Sequence, residues 1–388
     1  MVASSGVQDA GHEEAQGDCP TRPLSVLGQS RTFDVATVRE GDPTVPSIVF
    51  WGGTMTTPGA GNRFLHRAIC GLASIAASLI ALHGPALAGY PDRPVHIITP
   101  FAAGGGTNVE ARIFAAKLNK IFNNAFIVEN RPGAGTVIGT QIVARANPDG
   151  YTLLYGSPTL TLNPAVRKNL PYDTLKDFQP ISLVATQPFV VIVHPSLKMS
   201  KISDLVSYSK ANPGILNNAS TGTGTVTHLL GEQFKEAIGA KMVHVPYTGS
   251  GGAASDLLAG RVQVYLGAIA SLSQFIRNDL MTALAVSGRQ RQPSFPDVAT
   301  LAEQGVAGFD QAQSWGGFLA PARTPPEIIE TLNKALAEIA RDEEAKAAIA
   351  KVGSTITATS PDEFAAFMRS EVDNWTRLSS AIGLEKED

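Results

Sequence analysis

The sequence predicts an α/β fold of two lobes, each a mostly parallel sheet flanked by helices, with a ligand cleft between them. Three observations carry that expectation. From Val95 onward, short β-branched runs alternate with segments of helical period, the pattern of parallel strands joined by crossover helices. The 388 residues, 44% of them hydrophobic, exceed what one core usually accommodates. Four turns rich in Gly and Thr each follow a strand candidate and precede a helix candidate, where open α/β sheets gather their ligands.

The amino end stands outside this pattern. Residues 1–61 show neither period and are rich in Gly, Pro, Ser and Thr. They read as a disordered leader or as an upstream start, with Met55 the better initiator because Arg63 follows it at normal spacing. Residues 62–88 read as a secretory signal peptide cleaved after Ala88. Arg63 and Arg67 precede an apolar run from Ala68 to Leu82, and Ala86 and Ala88 supply the small-residue site. The run is shorter than the roughly 20 residues of a membrane span. Cys19 and Cys70 both fall in this region, so the chain from Gly89 has no cysteine for disulfide or thiol chemistry.

The first strand is Val95–Thr99, followed by the turn Ala102–Gly106 and a helix whose stripe is Phe114, Leu118, Ile121 and Phe122. Phe126–Val128 is extended, and Pro132–Gly135 leads into a short helix through Gln141 to Arg145. The turn Asn147–Gly150 introduces a strand over Tyr151–Tyr155. Later strands are expected at Val190–Val193, Met242–Val245, Val262–Leu266, Leu284–Val286 and Phe318–Leu319. Thr324-Pro325-Pro326-Glu327 and Ser360-Pro361-Asp362-Glu363 both read as capping boxes with proline at the first helical position. Behind them run buried stripes of Ile328, Leu332, Leu336 and Ile339, then of Phe364, Phe367, Met368 and Trp375.

A net charge of −3 excludes a broad basic surface for nucleic acid. Five of the 31 basic and seven of the 34 acidic residues precede Gly89, which leaves the remainder near neutral. Enzyme signatures are missing. Gly133–Gly139 approaches a dinucleotide fingerprint, but Tyr155–Pro158 holds no carboxylate where a ribose partner belongs. No Gly-rich turn ends in Gly-Lys-Ser/Thr, and Thr248–Gly252 lacks the first glycine of a nucleophile elbow. His96, His194, His228 and His244 are not paired at ligand spacing on one helix, so no metal is expected. His228 alone follows a turn into a helix and is a candidate ligand contact. The four turns, Gly104–Thr107, Gly133–Thr136, Thr221–Thr225 and Thr248–Gly252, offer backbone N–H groups at helix amino ends, suited to a carboxylate or phosphate.

Eight segments in order then carry a resemblance. They are Tyr90–Pro94, Pro100–Thr107, Val128–Gly135, Pro148–Leu153, Leu170–Asp173, Ala219–Thr225, Val245–Gly249 and Ser314–Gly316. From about Tyr90 to Leu384 the chain resembles the tripartite tricarboxylate transporter receptors, or Bug receptors. The resemblance implies a type II periplasmic-binding fold, with residues 89–190 and 312–388 as lobe 1 and 191–311 as lobe 2. It implies no enzyme and no cofactor, but a monomeric periplasmic receptor that captures a small carboxylate for a membrane permease. A subunit signalling to a sensor kinase is the alternative.

The implied ligand contacts in lobe 1 are Ala102, Gly105, Gly106 and Thr107, then Gly133, Ala134, Gly135 and Thr136, then Ser157, Pro158 and Thr159. In lobe 2 they are Thr221, Gly222, Thr223, Thr225, Thr227 and His228, with Tyr247, Gly249 and Ser250. The chain departs from the family at Asn108, where Asp is usual; Asn can still cap a helix, and the lost negative charge would favour a more anionic or differently shaped ligand. It departs again at Gly267–Ala270, where a roomier or more apolar wall is expected. Hinges are expected near Gln187–Val193 and Gln311–Phe318.

Overall fold

Val95, Ile97 and Ile98 bury themselves in strand β1 (Val95–Thr99), and the chain turns at Gly104 into helix α1 (Gly106–Phe122). This is a computed structural model that describes residues 89–381 and Lys386; the leader and signal peptide read in the sequence lie outside the described residues. Ala111, Phe114, Ala115 and Leu118 of α1 cover one face of the sheet. Next come β2 (Phe126–Asn130), α2 (Val137–Ala144), β3 (Thr152–Gly156) and α3 (Pro158–Val166). β2, β1 and β3 lie side by side in parallel, joined by crossover helices.

The same construction recurs further along. α4 (Ile202–Ala211), β5 (Leu216–Ser220), α5 (Val226–Ile238), β6 (Met242–Pro246), α6 (Ser250–Leu258) and β7 (Val264–Ala268) give a second parallel unit, ordered β6-β5-β7.

Two antiparallel strands join these units. β4 (Phe178–Val193) pairs with β9 (Gln313–Pro321) as far as Pro188, then with β7 from Phe189 onward. β8 (Thr282–Val286) also runs against this far end of β4, and β9 closes onto β3. The sequence predicted only Val190–Val193 of β4. Pro180 and Pro188 interrupt the reading, because proline cannot donate to a ladder. The strand persists because its register against β9 shifts between Pro180 and Ser182 and again between Leu183 and Ala185.

After a short α7 (Ser273–Arg277), the carboxyl-terminal part adds α8 (Pro326–Ile339), α9 (Glu343–Lys351), β10 (Thr355–Ile356) and α10 (Pro361–Ala381). The capping box at Ser360 is real: Glu363 Oε2 accepts from Ser360 N at 2.8 Å, and Glu363 N donates to Ser360 Oγ at 3.2 Å. The one expected at Thr324 does not form. Two successive prolines move the cap to Pro325, and the Thr324 hydroxyl instead donates to Pro321 O at 2.8 Å. Ile328, Leu332, Leu336 and Ile339 are buried as their spacing predicted, each contributing about 1.5–3 kcal/mol of apolar transfer. Trp315 packs edge-on against Phe364 and Phe367, whereas Trp375 joins Leu162, Val166 and Phe234 in a separate core cluster. Among the described residues no helix is long and apolar enough to cross a membrane.

Candidate functional site

Among the helices that begin without a side-chain cap are α1 at Gly105, α3 at Ser157, α5 at Thr225 and α6 at Gly249. None of the four has an acidic residue in its first turn. First-turn acids compensate at α4 (Asp204), α8 (Glu327), α9 (Glu343 and Glu344) and α10 (Asp362 and Glu363), whereas α2 and the short α7 also start without cap or acid. First-turn N–H groups lack intrahelical acceptors and sit at the positive end of the helix dipole.

The four uncapped termini meet around one cavity of about 40 Å³. Gly105, Gly106 and Thr107 line it from α1, Ser157, Pro158 and Thr159 from α3, Val226 and Thr227 from α5, and Ser250 from α6. Phe101, Gln187, Phe189, Thr221, Ala268 and Ser314 complete the wall, with no charged side chain among them.

The two units touch through their turns. Ala102 N donates to Thr248 O at 3.3 Å, and Val226 N to the Thr159 hydroxyl at 3.4 Å. Glycine makes that approach possible. A Cβ on Gly251 would stand 2.7 Å from Ala103 O, and one on Gly106 would stand 3.0 Å from Ala270 Cβ. An adjoining cavity of about 600 Å³ shares Phe101 and Thr221. Gly133, Ala134, Gly135, Thr136, Gly222, Thr223 and Tyr247 line it together with Arg167, the only charged side chain on either wall among the described residues. Arg167 Nη2 reaches across to Thr223 O at 3.3 Å.

Four of the expected contact residues line neither cavity. Ala102 and Gly249 lie against each other where the turns meet. Thr225 is buried, its hydroxyl donating to Gly222 O at 2.6 Å within a cluster that includes Thr221 and Thr227. His228 stacks on His244, ring centroids 4.0 Å apart, and its Nδ1 accepts from Gly224 N at 3.3 Å.

The two family departures find different explanations from those expected. Asn108 does not cap α1, because Gly105 is the cap. It is buried inside the first turn, donating to Asn130 Oδ1 at 2.9 Å and accepting from Arg112 Nε at 3.2 Å. Gly267 adds no room, since a Cβ there would lie 2.5 Å from the Tyr265 ring; Ala268 alone faces the cavity.

Sequence reading missed Gln187 and what stands behind it. Gln187 lines the cavity, donates Nε2 to Glu110 Oε1 at 2.8 Å and accepts at Oε1 from Ala270 N at 2.7 Å. Glu110 is wholly buried and also accepts from Ser354 Oγ (2.6 Å) and Tyr155 OH (3.0 Å). Burial pushes its carboxyl up to about 7, against the opposing pull of the Ser354 and Tyr155 hydrogen bonds. The network joins residues 77 and 244 positions apart, beyond any local signal.

Known proteins place this arrangement. Residues 110–384 match the family model described as tripartite tricarboxylate transporter family receptor. Protein BugT of Bordetella pertussis is 36% identical over 296 residues, covering 76% of this chain and 90% of its own. The solved periplasmic binding protein BugD is 33% identical, with a TM-score of 0.74 over 77% of this chain and 100% of BugD. An R. palustris protein solved with adipate is 29% identical, also at a TM-score of 0.74, over 77% of this chain and 100% of its own. The family model spans well over half of the 388 residues, and the two-lobed fold agrees with the solved structures: the chain belongs to the tripartite tricarboxylate transporter receptors.

Proposed function

We propose that this chain is an extracytoplasmic receptor that closes its two lobes on a small dicarboxylate and presents it to a membrane permease. The observation that carries the reading is the convergence of four helix termini with neither cap nor first-turn acid on one uncharged cavity. Such a site holds an anion by N–H groups, hydroxyls and dipoles rather than by a counter-ion. A carboxylate seated there directs the rest of the molecule toward the adjoining cavity, where Arg167 supplies a cation for a second carboxylate. Adipate, bound by the R. palustris relative, has that shape.

The inner cavity lies behind turns of the two units that touch, Ala102 N against Thr248 O, so a carboxylate reaches it when those turns part and close again. The ligand stabilises the closed form to the extent that it bridges both walls. We place lobe 1 at 89–190 with 312–388 and lobe 2 at 191–311, hinged where β4 changes partners between Pro188 and Phe189. Secretion through the signal at 62–88 completes the reading.

A thermal-shift screen against mono-, di- and tricarboxylates with their amides tests it. A rise of several degrees for a dicarboxylate, absent for its diamide, is expected. A folded protein that responds to no acid refutes carboxylate capture.

A further inference from the structure

Outside the cleft, α5 carries His228 and Glu232 one turn apart on the same face, and β6, beside β5, brings His244 against them. One ligating atom from each of the three lies within 4.8 Å of the others. We propose that His228, Glu232 and His244 form a site for a divalent transition metal of the zinc class, behind the turn that joins β5 to α5.

Two imidazoles and one carboxylate are a donor set that zinc accepts, leaving one position for water. A tetrahedral ion with bonds of about 2.0–2.2 Å sets its ligands roughly 3.4 Å apart. His228 Nε2 and Glu232 Oε1 stand at 3.8 Å, so they need to close by only a few tenths of an ångström. The rings of His228 and His244 stack within 18° of parallel at 4.0 Å; because ring lone pairs lie in the ring plane, a shared ion requires one ring to turn about its χ angles until both nitrogens face it.

Outer contacts suit His244 better than His228, whose Nδ1 accepts from Gly224 N at 3.3 Å and must give up that bond for its Nε2 to ligate. His244 Nε2 is 2.7 Å from Ser220 Oγ, which can accept its N–H and fix the ring. Solvent reaches the cluster, since the Glu232 side chain is 29% exposed and β6 is an edge strand. Lys235 Nζ lies 2.6 Å from Glu232 Oε2 and is the built-in competitor for that carboxylate. The sequence concealed the site because it presents no pair of histidines on one helix; the second imidazole arrives from a strand.

The test is calorimetric titration of Zn²⁺ into the tag-free, metal-stripped full chain at neutral pH, with melting curves to confirm that each variant is folded. Wild type is expected to bind one equivalent. His244→Gln and Glu232→Gln should each weaken binding at least about tenfold, the scale seen when a metal site loses a supporting group. Lys235→Met should tighten it several-fold by freeing Glu232, an effect that a merely structural lysine would not produce. Absence of binding by wild type overturns the proposal, as does one-equivalent binding that all three variants leave unchanged.

Discussion

Replacing Glu110 by Gln isolates the effect of the buried carboxyl behind the cavity. Gln has the shape of the neutral acid: its carbonyl can keep the bonds from Gln187 and Ser354, while its amide faces a Tyr155 hydroxyl that can turn to accept. The wild-type carboxyl titrates at about 7 when folded, against 4.5 for an unburied glutamate. The folded chain therefore holds a proton that the unfolded chain has released. For a raised acid the stabilisation is full below pH 4.5 and is lost as pH climbs through 7. Between about pH 5 and about pH 8 this single group removes roughly 2.5 kcal/mol from the wild type, most steeply at about 1.2 kcal/mol per pH unit near pH 6.

Urea unfolding of both proteins across that range measures it, and the difference between the two curves cancels every other titrating group. The variant should be within about 1 kcal/mol of wild type at the acid end. It should then gain roughly 2.5 kcal/mol relative to wild type by the alkaline end. Parallel curves would refute the reasoning and mean that Glu110 stays ionised throughout, its three donors outweighing its burial.

Other expectations concern the cleft. Ser157→Ala removes a hydroxyl that lines the cavity and caps nothing, so dicarboxylate affinity should fall by about 1 kcal/mol in calorimetry while the melting temperature holds. Thr225→Val should behave oppositely. Its hydroxyl holds Gly222 O within a buried cluster, so urea unfolding should show a loss of about 1–2 kcal/mol. Gly251→Ala improves the helix propensity of α6 by up to about 1 kcal/mol yet sets a methyl against Ala103 O. Unchanged or higher stability with weakened binding and a wider small-angle scattering profile is expected; unimpaired closure would show that the turns do not need so close a contact. Arg167→Gln should weaken a dicarboxylate more than its monocarboxylate analogue, and equal losses would remove the arginine from ligand recognition.

Most of the cleft was legible along the chain because its parts are local. A Gly-Thr turn between a strand and a helix signals itself within ten residues, and the four uncapped helix starts are readable as an absence of first-turn acids. Local signals also mislead. Thr324 read as a cap and is displaced by the two prolines, while Asn108 could have been a cap and is buried within the first turn. Thr225 read as a ligand contact and holds a carbonyl instead.

Alternating periods, the glycines between the lobes and the run from Ala68 to Leu82 are properties of neighbouring residues, and sequence alone determined them. Tertiary structure decided the rest: that β4 runs for 16 residues through two prolines, that Glu110 is shared by Tyr155, Gln187 and Ser354, and that His244 meets His228. Each of these depends on groups far apart in the chain being held together. The free energy of such a contact comes from burial and hydrogen bonding that exist only after the sheet has formed, so no local pattern records it.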